Sequence, residues 1–173
     1  MAHLLKDVEK EENTAESFET QEKKNQKENH KDERRLKMPE VNIYIETDSI
    51  FQGKTDRKCG YVLSTITRHG EKTKEGFGHF AGTYHQAVLT VAAEAIGRVN
   101  IPCEICVHTK DAYVASRLPK VDEMAADEWK DTKGKAIKNM EEWKNTYKAI
   151  HKHQKEHVMS AKTEKHSYCK WLQ

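Results

Sequence analysis

A short basic segment between two tryptophans carries the clearest chemistry in this chain. It runs from Trp129 to Trp143 and turns at Gly134 before a new helical pattern begins. Ammonium groups bind phosphate oxygens, and exposed indole rings stack on sugars or bases. We expect Trp143 in the core and Trp129 exposed for stacking. The segment predicts a nucleic-acid-binding loop, with contacts from Trp129, Lys130, Lys133, Lys135, Lys138 and Asn139.

The charge of the C-terminal third agrees with a phosphate-containing partner. The whole chain has a formal net charge of +2, but residues 130–170 hold eleven lysines against five acids, which gives this segment a net charge of +6. A basic surface attracts polyanions, although a solvated helix face has the same composition. Composition alone leaves both explanations open.

Apolar periodicity predicts the elements that must position this loop. Alternation and β-branched residues indicate strands, and the first three of them form an antiparallel meander. Thr83 caps a helix that is apolar on more than one face, and the strand after it pairs in parallel with the first strand through a crossover. The predicted strands are 41–48, 59–67, 74–81, 103–108 and one near 156–161; the predicted helices are 84–99, 111–118, 122–128, 139–153 and 167–172.

Several spaced motifs resemble type 1 ribonuclease H. Thr47-Asp48-Ser49 is similar to the end of the family's first strand, and the segment from Cys59 to Leu63 is similar to its second strand. The segment from His108 to Val114 resembles the family's S-T-D-S-x-Y-V element, and the basic segment follows it. The resemblance covers about residues 41–173 and is to a divergent bacterial or phage-type member. It implies an α/β fold of ribonuclease H type, with a five-stranded mixed sheet flanked by helices.

The resemblance also implies hydrolysis of the RNA strand of RNA:DNA hybrids. Members of this family place four carboxylates around two magnesium ions, which activate water and stabilise the leaving oxygen. Here Asp48 occupies the first carboxylate position, and His85, Lys110 and Lys170 occupy the other three. His166 occupies the position of the family's loop histidine.

A metal site rebuilt from neighbouring side chains is one expectation. Glu46 is two residues before Asp48 on the same predicted strand face, and His85 and Asp111 add ligand atoms, although imidazole suits softer metals than magnesium. If the protein cleaves, we expect Mg²⁺ or Mn²⁺ bound by Glu46 and Asp48. The catalytic candidates are then Glu46, Asp48, His85, Asp111 and His166.

Two alternatives stay open at this point. In the first, the protein is a catalytically silent nucleic-acid-binding module that needs no metal, and Lys110 and Lys170 bind phosphate directly. In the second, it is a protein-interaction module that uses residues 1–40, a charged arm expected to be disordered because it contains few apolar residues. The folded domain is then 41–173. The chain lacks a signal-peptide pattern and a long apolar run, so we expect a cytoplasmic monomer.

The other reactive residues give weaker signals. Strand alternation points Cys103 and Cys106 to opposite faces, so we expect buried free thiols rather than half of a zinc site. The absence of a glycine-rich phosphate loop and of a Ser/His/Asp set disfavours nucleotide hydrolysis and acyl transfer. A basic groove rim and a transition-metal site are both open for His151, His153 and His157.

Overall fold

The described elements follow the predicted order. A computed structural model describes residues 38–153, 157–166 and 168. The helix expected at 167–172 falls outside the described residues, apart from Tyr168. The strands are β1 (Glu40–Thr47), β2 (Thr55–Thr67), β3 (Gly70–Gly82), β4 (Cys103–Thr109) and β5 (His157–Thr163). The helices are α1 (Tyr84–Gly97), α2 (Ala112–Arg117), α3 (Val121–Ala126) and α4 (Met140–His151), with a 3-10 turn at Leu118–Lys120.

In the described residues, five strands form one mixed sheet in the order β3-β2-β1-β4-β5. β1 to β3 are an antiparallel meander, and β4 pairs in parallel with both β1 and β5. The predicted crossover and parallel pairing are confirmed. Because Tyr44 of β1 lies opposite His108 of β4, the C-terminal ends of these two strands meet at the same edge of the sheet.

The first helix packs across this sheet as the central buried helix, which confirms the prediction. A capping box starts it: the Gln86 N–H donates to the Thr83 hydroxyl, and the Thr83 N–H donates to the Gln86 side-chain oxygen. Its small and branched residues allow close approach to the strands. The buried residues of α1 are Tyr84, Ala87, Val88, Leu89, Val91, Ala92, Ala95 and Ile96.

Helix α4 closes the core from the far side of α1. Trp143 is fully buried on it, as predicted, and Ile150 is buried two turns later. The side chains of Gln86 and Glu142 join the N-terminal turns of α1 and α4 by a 2.8 Å hydrogen bond. No helix in the described part of the chain has the length and apolar character needed to span a membrane.

The second hairpin is longer than its sequence predicts. β2 and β3 are both 13 residues long and stay paired from Thr55 opposite Gly82 to Thr67 opposite Gly70. Most β3 side chains are exposed, so hydrophobic alternation is weak there although the backbone ladder continues. Gly70 has a φ of 103°, a conformation that glycine adopts without strain at this turn.

Candidate functional site

The C-terminal ends of β1 and β4 place the predicted carboxylates near one edge of the sheet. Asp48 follows β1 directly; its side chain is exposed, and its N–H donates to the Lys58 carbonyl at 3.1 Å. Glu46 is only 7% exposed, and the Lys110 ammonium donates to its Oε1 atom at 2.6 Å. The two carboxylates of this strand therefore differ, since one is free in solvent and the other is buried and paired.

On the helix side of the same edge, His85 and Asp111 form a second pair. His85 is the second residue of α1, and its Nδ1 lies 2.7 Å from Asp111 Oδ2. The other Asp111 oxygen caps α2 by accepting the N–H groups of Tyr113 and Val114. The Asp111 side chain is 1% exposed and that of His85 is 30% exposed. A buried, doubly anchored carboxylate thus orients an accessible imidazole.

His166 lies beside Glu46 rather than beside His85. Its Nε2–H donates to the Ile45 carbonyl at 3.0 Å, and the same nitrogen is 3.7 Å from Glu46 Oε2. Tyr44 also packs against the His166 ring at a centroid distance of 5.2 Å. The His166 side chain is 3% exposed, so this histidine is packed against the sheet in this conformation.

The structure does not bring Glu46, Asp48, His85 and Asp111 together around one cation. Among the described residues, no group of three or more His, Cys, Asp or Glu side chains could hold a metal ion. The ammonium of Lys110 already occupies one Glu46 oxygen, and both Asp111 oxygens accept hydrogen bonds from α2 and His85. The expected single-metal site is corrected to two separate pairs, and Lys170 lies outside the described residues.

Tyr84 is buried near both pairs. Burial raises the pKa of its hydroxyl, and the negative charges of Asp111 and Glu46 raise it further. Alternation along β1 turns Glu46 to the opposite face of the sheet from Ile45, which lies in the core.

The basic loop, residues 130–138, is a small hairpin with a fixed backbone. Lys130 and Ala136 form an antiparallel bridge, and the Asp131 carboxylate accepts the N–H groups of Lys133 and Lys135 at 2.8 and 2.9 Å. Gly134 supplies a φ of 74° at the tip. The predicted loop lysines, Lys130, Lys133, Lys135 and Lys138, are all exposed.

Most of these ammonium groups are free to meet an anion. Within the part of the chain that the structure describes, Lys133, Lys135 and Lys138 pair with no carboxylate, whereas Lys130 pairs with Glu128. Asn139, another predicted contact, is half-buried and has a φ of 57°, so the chain enters α4 through a left-handed turn. The loop therefore presents positive charge on a shaped backbone.

Trp129 corrects one expectation. It is half-buried, and its ring meets Tyr147 of α4 edge-on at a centroid distance of 5.7 Å. Together with the Ile137 N–H bond to the Trp129 carbonyl, this contact anchors the base of the loop. Tryptophan is large enough to pack on α4 while keeping part of its surface exposed, so its main role is structural.

Tyr113 joins the loop to the His85–Asp111 pair, and the sequence signal did not single it out. Its hydroxyl donates to the Lys138 carbonyl at 3.1 Å and accepts the Trp143 indole N–H at 3.4 Å. Its ring lies 4.5 Å from that of His85. An aromatic residue in the first turn of a helix resembles an ordinary core residue, so only the contacts of Tyr113 reveal this position.

The remaining candidates are structural. Cys59, Cys103 and Cys106 are free and buried, as expected, and burial raises the pKa of the Cys103 thiol to about 11. The three helix-end histidines each have their own partner: His151 meets Asp122, His153 meets the Gly97 carbonyl and His157 meets the Cys103 sulfur. They do not converge on a common point.

The geometry suits acid–base chemistry at a phosphate. Because Asp111 holds His85 through Nδ1, the Nε2 atom is the imidazole position open to solvent or substrate. Proton acceptance at this atom needs a neutral imidazole, and the carboxylate stabilises the cation that forms. The basic loop, tied to this histidine through Tyr113, supplies the positive charge that binds a polyanion.

Comparison with known proteins gives a consistent result. The chain matches no protein-family model. It is 33% identical over 119 residues to a ribonuclease H of Herminiimonas arsenicoxydans, a match that covers 68% of this chain and 78% of that protein. The solution structure of the PFV ribonuclease H domain is similar in fold, with a TM-score of 0.59 and 16% identity, covering 77% of this chain and 83% of that one.

A larger protein contains the same fold. The foamy viral protease-reverse transcriptase, solved in complex with an RNA/DNA hybrid, matches with a TM-score of 0.52 and 15% identity. The match covers 70% of this chain and 17% of that one. At such identities these two structural likenesses show the fold alone.

Proposed function

The chain belongs to the ribonuclease H family, and from that premise we propose that it binds RNA:DNA hybrid duplexes and hydrolyses phosphodiester bonds of their RNA strand. The observation that carries the proposal is the link between the basic loop and the His85–Asp111 pair through Tyr113. A duplex bound by the loop lysines is thereby positioned relative to His85, the oriented general base. The foamy viral protein of the same fold, whose structure was solved in complex with an RNA/DNA hybrid, supports the class of substrate.

Binding begins at the basic loop. Each lysine that contacts a phosphate releases condensed counterions, which lowers the slope of log K against log salt by about 0.9 per contact on duplex DNA. Lys133, Lys135 and Lys138 are exposed and unpaired by carboxylates within the described residues, so they lose no internal ion pair on binding. The Asp131 bonds to the loop backbone keep these lysines presented together.

At the reacting phosphate, His85 is the proton acceptor. A water oxygen bonds to phosphorus as its proton passes to His85 Nε2, and one bridging P–O bond breaks. The departing oxygen takes its proton from solvent. Asp111 is a positioning residue, because it accepts the Nδ1 proton of the neutral imidazole and so leaves the lone pair at Nε2 to accept a proton. The exposed Asp48 carboxylate lies at the sheet edge as a further polar group near the substrate.

The described residues do not fit a preformed Mg²⁺ or Mn²⁺ site. Such a site needs several anionic oxygens free to point at the ion. Asp48 provides one carboxylate, but Lys110 neutralises Glu46, and Asp111 is already fully hydrogen-bonded. The chemistry above therefore uses this chain's own side chains.

A cleavage assay tests the proposal. A hybrid with a labelled RNA strand is incubated with the protein in chelator, in Mg²⁺ and in Mn²⁺, and its products are resolved by length. We expect the wild-type protein to cleave the hybrid and the cleavage rate to be about 10²–10⁴-fold lower in His85→Ala, because this is the usual contribution of a general base. Lys72→Ala, on exposed β3, is the matched surface control. Absence of cleavage under all three conditions would exclude the hydrolytic function.

The pairing of Lys110 with Glu46 favours a second candidate, a catalytically silent nucleic-acid-binding module. The Lys110 ammonium cancels the charge of Glu46 in the region where the family resemblance places a carboxylate, so phosphate can approach this edge without a metal to offset that carboxylate. This candidate predicts metal-independent binding that weakens steeply with salt, without cleavage. The double variant Lys133→Ala and Lys135→Ala is expected to change the salt slope by about 1.8 if both lysines contact phosphate.

A third outcome remains for the same binding measurement. Absence of binding, or binding that does not respond to salt, excludes both nucleic-acid functions and favours the protein-interaction module. The matched control is the double variant Lys72→Ala and Lys74→Ala, which removes the same charge from exposed β3 and leaves the basic loop intact.

A further inference from the structure

The loop between β1 and β2 exposes two large apolar side chains next to Asp48. Ile50 is 61% exposed and Phe51 is 62% exposed. Isolated exposed apolar residues are common on proteins, but two in sequence, beside a proposed active site, form a small apolar point on a polar surface. Hydrogen bonds within this loop fix the backbone that carries the two side chains.

Arg57 fixes the backbone that carries the two side chains. Its guanidinium is buried, with the residue only 1% exposed, and it donates to the carbonyls of Ser49, Phe51 and Gly53 at 2.9 to 3.0 Å. It also donates to the Gly82 carbonyl at 3.1 Å, which ties the loop to the end of β3. Charged donors make strong bonds to carbonyls when water is excluded, so the loop has a defined shape.

The ring of Phe51 also has a defined place within that shape. A Cβ atom at Gly53 would lie 2.5 Å from Phe51 Cε1 and 2.7 Å from Cζ, which means that the ring lies against the glycine backbone. Gly53 is outside the left-handed region, so the glycine is not required by its backbone angles. It leaves room for the Phe51 ring, and one side of that ring stays exposed.

Contacts connect this loop to the basic loop through the proposed site. The Arg57 guanidinium lies 5.9 Å from the centre of the Tyr84 ring, and Tyr84 lies 5.8 Å from the His85 ring. His85 in turn lies 4.5 Å from Tyr113, whose hydroxyl binds the Lys138 carbonyl. The backbones of the β1–β2 loop and of the basic loop are therefore joined by one series of contacts that includes His85.

We propose that Phe51, with Ile50 beside it, is a second contact for the bound duplex, where the exposed ring packs on the sugar of a nucleotide. This inference rests on the proposed function. Base faces are already stacked inside a duplex, so the apolar surface open to the ring is that of the sugars, and a contact to a sugar does not read sequence. Two side chains are far too small for a stable protein interface, which buries roughly 800 Å² on each partner. A nucleotide is of matching size. The lysines of the basic loop, which the contacts above join to this loop, bind the phosphates of the same duplex.

Binding of an RNA:DNA hybrid, measured by fluorescence anisotropy across a salt series, tests the inference. We expect Phe51→Ala to weaken binding by about five- to tenfold, which corresponds to the loss of roughly 40–55 Å² of apolar contact. Because phenylalanine carries no charge, the salt slope is expected to stay at the wild-type value. The loop variants Lys133→Ala and Lys135→Ala change the slope instead, so the two kinds of contact are separable.

A second variant probes the ring position without deleting the ring. Gly53→Ala is expected to displace the Phe51 ring and to weaken binding at every salt concentration, while the fold is retained. Ile66→Ala is the matched control, because Ile66 is 74% exposed near the far end of β2 and its loss should leave binding unchanged. Thermal unfolding of all variants verifies that each one is folded.

The outcomes separate this inference from the proposed function. If the wild-type protein binds the hybrid and the affinity of Phe51→Ala is within about twofold of the wild-type affinity, the second contact is wrong and the proposed function still stands. Failure of the wild-type protein to bind the hybrid overturns both. If Phe51→Ala converts a dimer to a monomer in sedimentation, the apolar point is a contact between copies, and the inference is wrong.

Discussion

Replacing Lys110 by aspartate is expected to create divalent-cation binding that the wild-type chain lacks at this position. The Lys110 nitrogen lies 2.6 Å from Glu46 Oε1. A magnesium ion bound to that oxygen at about 2.1 Å lies within about 4.7 Å of the ammonium. At an effective dielectric of about 20, a divalent and a monovalent charge at that separation repel by about 7 kcal/mol. The lysine therefore excludes the ion from Glu46.

The substitution Lys110→Asp removes this repulsion and adds a carboxylate beside Glu46. If the new site has a dissociation constant on the order of 1 mM, about 10 mM Mg²⁺ stabilises the folded state by about 1.4 kcal/mol. For a folded domain of this size, that corresponds to a rise in melting temperature of about 4–7 °C. Without metal the variant is expected to be less stable than wild type, because two neighbouring carboxylates repel one another.

Thermal unfolding with and without MgCl₂, at matched ionic strength, measures the effect. Lys110→Met is the matched control, since it removes the ammonium but adds no ligand, and its magnesium shift should be much smaller than that of Lys110→Asp. An equal magnesium shift in the wild-type protein would refute the idea that Lys110 excludes the ion. Equal shifts in Lys110→Met and Lys110→Asp would show that the added carboxylate contributes nothing.

Further predictions concern the supports of the site and the core. Asp111→Ala removes the α2 cap and is expected to lower the free energy of unfolding by about 0.5–2 kcal/mol in urea titrations, whereas His85→Ala should leave that cap intact. Trp143→Ala, at a fully buried position, is expected to destabilise by about 3–5 kcal/mol, checked in the same titrations. Burial and the nearby His151 and His153 lower the pKa of His157. Its contribution to stability is therefore complete above about pH 6.5 and is lost as pH falls towards the folded-state pKa. His157→Gln should make the urea midpoint less sensitive to pH in that window, and an unchanged sensitivity would contradict this assignment.

The sequence predicted the fold because local patterns agreed with one another. The apolar stretch after Thr83 marks a buried helix whatever surrounds it, and its N-cap is a local feature. The weakest prediction was β3, whose exposed side chains leave no alternation to detect. The basic loop was also found from the sequence, because exposed lysines around a glycine turn need no tertiary information to be recognised.

The arrangement of the site was decided by the tertiary structure. Lys110 reaches Glu46 across 64 positions of sequence, and His85 reaches Asp111 across 26. Nothing local in the chain distinguishes these pairs from a shared set of metal ligands. The roles of Arg57 and Tyr113 were also invisible, because both have the appearance of ordinary strand and helix residues until their contacts are seen.

The sequence alone thus determined the order of the elements, the buried central helix and the presence of a basic loop, since each depends on interactions within a few residues. Only the folded chain decided that Glu46 is neutralised by Lys110 and that His85 is oriented by Asp111. Side-chain partners of charged groups depend on which strand ends meet and on which face each residue lies. Those relations arise when β1 and β4 pair in parallel through a crossover, which brings distant parts of the chain to the same edge of the sheet.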